Sequence, residues 1–326
     1  MDAARPLTLV LWLASGCAGH RTDSTAPGAP VPADTTDPEA QPSGELQIVE
    51  DVAYPLPEGV DTDLATLDLY RIDDGTSRPL ALLVHGGSWV SGDKSSFRTS
   101  APEFVPWFLD RGYTVAAVNF RLASRLGQPL DVGPMDQAQD IAHALAWLYE
   151  EADAVGVSPE PALLVGYSSG AHLVALLGAD GRYLERAGLD ETQVGATVSL
   201  DVHAYDVPLA LELMVGSDVE QNIPLIRHLF GETEAAQLKA SPIHHIEGSV
   251  APAMLVSVGP QPERVGSHGQ IVVAAAENYA SALTAADHRA ETFHDPEEDH
   301  TSLAVGFGED GDAVTQAVAT FLDGLR

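Results

Sequence analysis

The segment Gly166-Tyr167-Ser168-Ser169-Gly170 leaves a β-like run at 162–165 and enters a helix-like run at 171–177. A chain that turns from strand to helix within five residues needs small side chains on both sides of the bend, and the two glycines supply them. The residue at the middle of such a turn is held in a strained conformation with its side chain raised and unobstructed. Ser168 is therefore the expected nucleophile.

A second glycine loop supports that expectation. The buried-strand pattern at 80–84 runs into His85-Gly86-Gly87-Ser88-Trp89. Glycines after a strand let backbone N–H groups approach a ligand, and acyl transfer needs such donors because the carbonyl oxygen becomes an oxyanion. Each fixed donor is worth about 3–4 kcal/mol in the transition state. Gly86, Gly87 and Ser88 from this loop, with Ser169 at the start of the helix, are the expected oxyanion hole; His85 is expected to brace the loop.

Texture along the chain gives the fold class. Segments 48–54 and 65–70 read as an antiparallel pair, and strand patterns follow at 80–84, 113–118, 162–165, 196–200, 253–258 and 291–294. Helical patterns at 101–110, 137–151, 271–286 and 312–325 alternate with them. Eight strands interleaved with helices predict an α/β fold, a mostly parallel sheet covered on both faces. Such sheets place ligands at the carboxyl ends of their strands, where both glycine loops fall. Residues 201–246 interrupt the alternation, with helical patches at 208–214 and 223–230, and are expected to form a lid or pocket wall.

Serine needs an imidazole to take its proton and a carboxylate to hold that imidazole in the right tautomer. With the chain order Ser, acid, His, the candidate bases are His300, in the loop between the last strand and the last helix, and His294 at a strand end. His300 is the expected base. Glu263, the first carboxylate after the strand at 253–258, is the expected acid, with Asp201 and Asp299 as open alternatives. The pair His244-His245 has no accompanying ligand cluster, so no metal site is expected. No organic cofactor is expected either.

Composition bounds the partners. A formal charge of −32, with Lys94 and Lys239 as the only lysines, excludes nucleic acid as an expected partner. The single cysteine, Cys17, rules out an intramolecular disulfide. It ends the run Ala14-Ser15-Gly16-Cys17 after a short apolar stretch, 7–13, too short to span a bilayer. Residues 1–17 thus look like a bacterial lipoprotein signal ending in a lipidated Cys17, with simple secretion as the alternative. Residues 18–44, rich in Pro, Thr, Ala, Ser and Asp, are an expected tether, and 45–326 the folded domain. Membrane contact is expected only through the N-terminal lipid, at the cell envelope.

Together these residues resemble the α/β-hydrolase superfamily, and within it the esterase/lipase group with a His-Gly-Gly-x-Trp loop, which includes carboxylesterases, feruloyl-esterase-like and kynurenine formamidase-like proteins. Val118-Asn119-Phe120-Arg121-Leu122 is similar to the group's V-N-Y-R-L strand end, and residues 140–147 to its D-x-x-x-A-x-x-W helix. Ser241-Pro242 resembles its S-P, and 168–173 its S-A-G-A-H-L, which makes His172 a packing residue. The resemblance implies Ser168 as nucleophile and His300 as base. In one place the sequence departs: Pro262, followed by Glu263, stands where the group usually carries an aspartate. The expected activity is hydrolysis of small carboxylic esters through an acyl-enzyme, with amide or formamide hydrolysis, or a non-catalytic binding protein of the same fold, as alternatives.

Overall fold

Strand β3 (Leu80–Val84) shows why the sheet forms: every side chain is buried, and successive residues serve opposite faces. Leu80, Leu82 and Val84 join one apolar cluster, with Ile141, Leu145 and Leu173. Ala81 and Leu83 join the other, with Phe104, Phe108 and Phe321. This is the two-residue period of a strand covered on both sides. Full burial of each leucine contributes about 1.5–3 kcal/mol.

The computed structural model describes residues 44–60, 62–260 and 266–326. The expected signal segment with Cys17, the tether up to residue 43 and the expected acid Glu263 lie outside them. The eight strands are β1 (Glu45–Ala53), β2 (Thr66–Asp73), β3, β4 (Thr114–Val118), β5 (Ala162–Tyr167), β6 (Val194–Leu200), β7 (Ala253–Val258) and β8 (Ala290–Asp295). Their order is β1-β2-β4-β3-β5-β6-β7-β8. β2 runs antiparallel to β1 and β4, and the other pairs are parallel. The expected hairpin and mostly parallel sheet are both present.

The motif residues outside the two loops fasten the frame. Arg121 forms a two-pronged pair with buried Asp140, at 2.7 and 2.8 Å, so the end of β4 is locked to the helix Pro134–Glu150. Asn119 accepts the Lys94 N–H at 2.7 Å and donates to Asp93 at 2.8 Å. Lys94 is itself buried between Asp51 and Asp68, at 2.7 and 2.8 Å. Ser241 accepts the Val207 N–H at 2.9 Å and donates to the Gln237 carbonyl at 2.8 Å. The 201–246 insertion is therefore pinned at its base. Its helix Val207–Met214 buries Val207, Ala210, Leu211 and Met214, so that part belongs to the core, while the helix Ile223–Phe230 leaves Leu225 partly open.

Candidate active site

The turn after β5 is as tight as its glycines imply. A side-chain carbon at Gly166 would lie 2.2 Å from the Gly170 carbonyl oxygen, and one at Gly170 would lie 2.2 Å from that of Val84. Between them Ser168 takes φ 56°, ψ −123°, a region costly for a residue with a side chain. It caps the helix Ser169–Ala179, whose first N–H groups point out of the helix end. The Ser168 N–H donates to the Leu200 carbonyl at 2.8 Å, which seats the turn beside the end of β6.

The loop after β3 closes on the same spot. A side-chain carbon at Gly86 would lie 2.8 Å from Ser168 Cβ, so only glycine permits this approach. The Gly86 carbonyl accepts from His85 Nδ1 at 2.8 Å, and the Gly87 carbonyl accepts the Ser91 N–H at 3.0 Å. In a trans peptide the following N–H points the opposite way. Both carbonyls are thus turned into the loop, and the N–H groups of Gly87 and Ser88 are turned away from those bonds. His85 is buried, stacks on Phe120 at 4.5 Å, and is kept neutral because burial depresses its pKa. It braces the loop as expected. Trp89 ties the loop to two helices: Nε1 donates to His172 at 3.3 Å, and the ring meets Phe230 edge-on at 5.0 Å. His172, pushed down to about 4 by burial, donates its Nε2–H to the Ala240 carbonyl at 2.8 Å.

The structure brings Ser168 and His300 together: Oγ lies 3.1 Å from Nε2. The other ring nitrogen, Nδ1, lies 2.5 Å from Oδ2 of Asp201. The carboxylate behind the imidazole is therefore Asp201, where the sequence pointed first to Glu263. The reason is topological. β6 lies beside β5, so its end reaches the serine turn, and Asp201 follows β6 in a left-handed conformation, φ 58°. Its N–H donates to the Val256 carbonyl at 2.9 Å, and its Oδ1 accepts the Val258 N–H at 3.0 Å. Asp299 is otherwise engaged, capping the helix His300–Gly306 by accepting the Thr301 and Ser302 N–H groups at 2.8 Å. His294 turns to Ser257, 3.2 Å from its hydroxyl.

Two neighbours of His300 escape sequence reasoning. Tyr167 stacks on its ring at 4.9 Å and donates its hydroxyl to the His300 carbonyl. His268 places Nε2 2.9 Å from Asp201 Oδ2. Although burial alone would raise the Asp201 pKa, hydrogen bonds and charge from His268 and His300 hold it down to about 2. Asp201, His268 and His300 are the cluster of possible metal donors among the described residues. Both nitrogens, however, converge on one oxygen at hydrogen-bond distance, the geometry of two N–H donors. A cavity of about 300 Å³ opens over the site. Ser88 and Ser169 line it, together with His203, Val219, Leu225 and Ile226 from the insertion.

Comparison with known proteins matches this frame. The model of the BD-FAE family matches residues 67–267. The chain belongs to the BD-FAE family. The match takes in Ser168 and Asp201 and stops short of His268 and His300. This BD-FAE chain is 28% identical over 201 residues to LipM of Mycobacterium tuberculosis, a probable carboxylic ester hydrolase, covering 57% of this chain and 42% of LipM. It is 25% identical over 229 residues to esterase LipQ of the same organism, covering 67% of this chain and 51% of LipQ. A shorter alignment, 29% over 101 residues, joins it to the non-reducing polyketide synthase atr1 of Stereocaulon alpinum, covering 29% of this chain and 4% of that protein. The chain spans about half or less of these relatives' lengths. Among solved structures, esterase B of Lactobacillus rhamnosis superposes with a TM-score of 0.62 at 19% identity over 86% of both chains. Esterase 2 of Thermogutta terrifontis, phosphonylated by sarin, gives 0.56 at 22% over 87% of this chain and 92% of its own. At such identities these two share the fold.

Proposed function

We propose that this BD-FAE family member is a serine hydrolase that cleaves small carboxylic esters through an acyl-enzyme. The observation that carries the reading is the continuous hydrogen-bonded line from Ser168 Oγ through His300 to Asp201, at 3.1 and 2.5 Å. With Asp201 ionised, His300 Nδ1 carries the hydrogen and Nε2 is left to accept the serine proton. Ser168 Oγ attacks the ester carbonyl as its proton passes to Nε2. The oxyanion that forms is met by N–H groups of the 86–88 loop and of Ser169. As the tetrahedral species collapses, His300 returns the proton to the leaving alkoxide, which departs as an alcohol. A water then repeats the sequence on the acyl-serine, releasing the acid and restoring the serine.

The cavity bounds the substrate. A volume of about 300 Å³ with an apolar wall from Val219, Leu225 and Ile226 suits a short acyl chain and a compact alcohol. A surface of charge −32 favours neutral or cationic esters over anionic ones. The printed names of LipM and LipQ support ester chemistry. Turnover of p-nitrophenyl acetate tests the reading. Ser168→Ala should abolish it, whereas Ser169→Ala, which removes a buried hydroxyl without a hydrogen-bond partner among the described residues, should keep most of it. Activity that survives Ser168→Ala would reject the proposal. Anchoring through Cys17 belongs to the same proposal; metabolic labelling with a palmitate analogue, lost in Cys17→Ser, is its test. Among the described residues no helix is long and apolar enough to cross a membrane.

A further inference from the structure

The acid of the site serves two imidazoles. Oδ2 of Asp201 lies 2.5 Å from His300 Nδ1 and 2.9 Å from His268 Nε2, while Oδ1 accepts the Val258 N–H. The chemistry described for Ser168 requires one of those imidazoles. A carboxylate oxygen has two lone-pair directions, so both directions of Oδ2 are filled by nitrogen donors and none is left for water. This matters because His268 lines the substrate cavity, with its side chain 32% exposed, whereas the Asp201 side chain is fully enclosed. The ring of His268 also meets that of His300 edge-on, at 5.5 Å and 77°. His300 is thus held between a stacked Tyr167 and an edge contact from His268.

The placement of His268 is built into the fold. It is the first residue of the helix Ser267 caps, His268–Ala285, and the Ser267 hydroxyl accepts the Gln270 N–H. The segment before it is tied to the pocket insertion, where the Asp218 N–H donates to the Gly266 carbonyl at 3.0 Å. Gly269 must be glycine here, since a side-chain carbon would lie 2.6 Å from the Gly259 carbonyl oxygen at the end of β7. These contacts bring the helix start close against the strand end and carry His268 to Asp201.

We infer that His268 is a positioning residue: it holds Asp201 Oδ2 against His300 and, when it takes up a second proton, it weakens the hold of that carboxylate on the imidazolium formed during catalysis. This rests on the reading of Ser168, His300 and Asp201 given above. In its neutral form His268 donates Nε2–H to Asp201 and leaves Nδ1 as the site of the second proton. Once Nδ1 is protonated, a cation shares the carboxylate that must stabilise charge on His300. Two positive rings 5.5 Å apart then repel across one anion. Among the described residues the ionisable groups acting on His268 or coupled to it are Asp201, Asp218, His203 and His300. Burial opposes its charge, as does the start of its own helix, but the hydrogen bond and charge of Asp201, with Asp218 beyond, leave its pKa raised. Its second proton is therefore taken up at a higher pH than that of an ordinary imidazole.

The test is the pH dependence of kcat/KM for p-nitrophenyl acetate in the full chain and in two variants, His268→Gln and His268→Phe. In the unaltered protein the acid limb should be steeper than a single protonation. His268→Gln keeps a donor without a titratable ring, so its acid limb should relax to one proton. His268→Phe removes the donor and should lower kcat at pH 8.5 about tenfold with little change in KM, a loss that His268→Gln partly recovers. If the unaltered protein and His268→Gln give superposable single-proton limbs, or if His268→Phe keeps full kcat, the inference is overturned. Labelling of Ser168 by a fluorophosphonate in the same preparations separates the two layers. Labelling with unchanged profiles removes only the role of His268, whereas no labelling removes the underlying reading.

Discussion

Asp201 concentrates the demands placed on this site. It is buried, left-handed in its backbone, and accepts one backbone and two imidazole hydrogens. Asparagine tolerates positive φ, so Asp201→Asn should fold. It should nonetheless lower kcat by about 10³–10⁴, because an amide cannot select the tautomer of His300 that leaves Nε2 free. Glu263→Gln should stay within about threefold of the parent. Steady-state kinetics on the two variants check this, and the reverse ranking would return the acid to position 263. Asp201 also links the site to acid stability. Its pKa is depressed to about 2, so its contribution is complete above the ordinary carboxylate range and disappears as pH falls through about 2. For a shift of this size the contribution is on the order of 2 kcal/mol. Urea unfolding between pH 5 and pH 2 should accordingly fall less steeply in Asp201→Asn than in the parent.

At the scale of elements, the two glycine turns and the insertion divide the work between holding Ser168 and shaping the pocket. Gly166→Ala or Gly170→Ala forces a carbon to 2.2 Å from a carbonyl oxygen, so the β5 turn must shift. Each should cost about 1–3 kcal/mol in a chemical melt and lower activity as well. Leu225 tests the wall: Leu225→Ala opens the cavity from the insertion side, and should raise the ratio of kcat/KM for hexanoate over acetate esters by about tenfold. An unchanged ratio would place the acyl chain elsewhere. The strands and turns were legible in the sequence because their signals are local. The continuous apolar run of β3, a serine between glycines and a glycine pair after a strand each occupy fewer than ten consecutive residues. The parts played by Asp201 and His268 are not legible in the sequence because they depend on strand order. Only the adjacency of β5, β6 and β7 shows that the end of β6 lies next to the serine turn and that the helix after β7 returns to it. Nearness to β7 along the chain favours Glu263, a criterion blind to the neighbouring strand end.

The molecule as a whole carries a charge of −32, and its self-repulsion should make it a salt-stabilised protein. At 0.15 M ionic strength the screening length is about 8 Å and at 1 M about 3 Å, so repulsion across the surface is largely removed at the higher value. Thermal melting in 1 M sodium chloride should therefore occur above that in 0.05 M, while the buried Lys94–Asp68 pair, screened far less, should hold in both. The same composition that speaks to solubility and partners is silent on the proposed catalysis, whose groups come together from four strand ends: the loop after β3, Ser168 after β5, Asp201 after β6 and His300 after β8. Covalent labelling reads that convergence in a single experiment. After reaction with a fluorophosphonate, peptide mass spectrometry should find one adduct, on Ser168, formed quickly in the parent, far more slowly in Asp201→Asn and His300→Ala, and not at all in Ser168→Ala. An unlabelled Ser168, or labelling as fast without His300 as with it, would contradict the account.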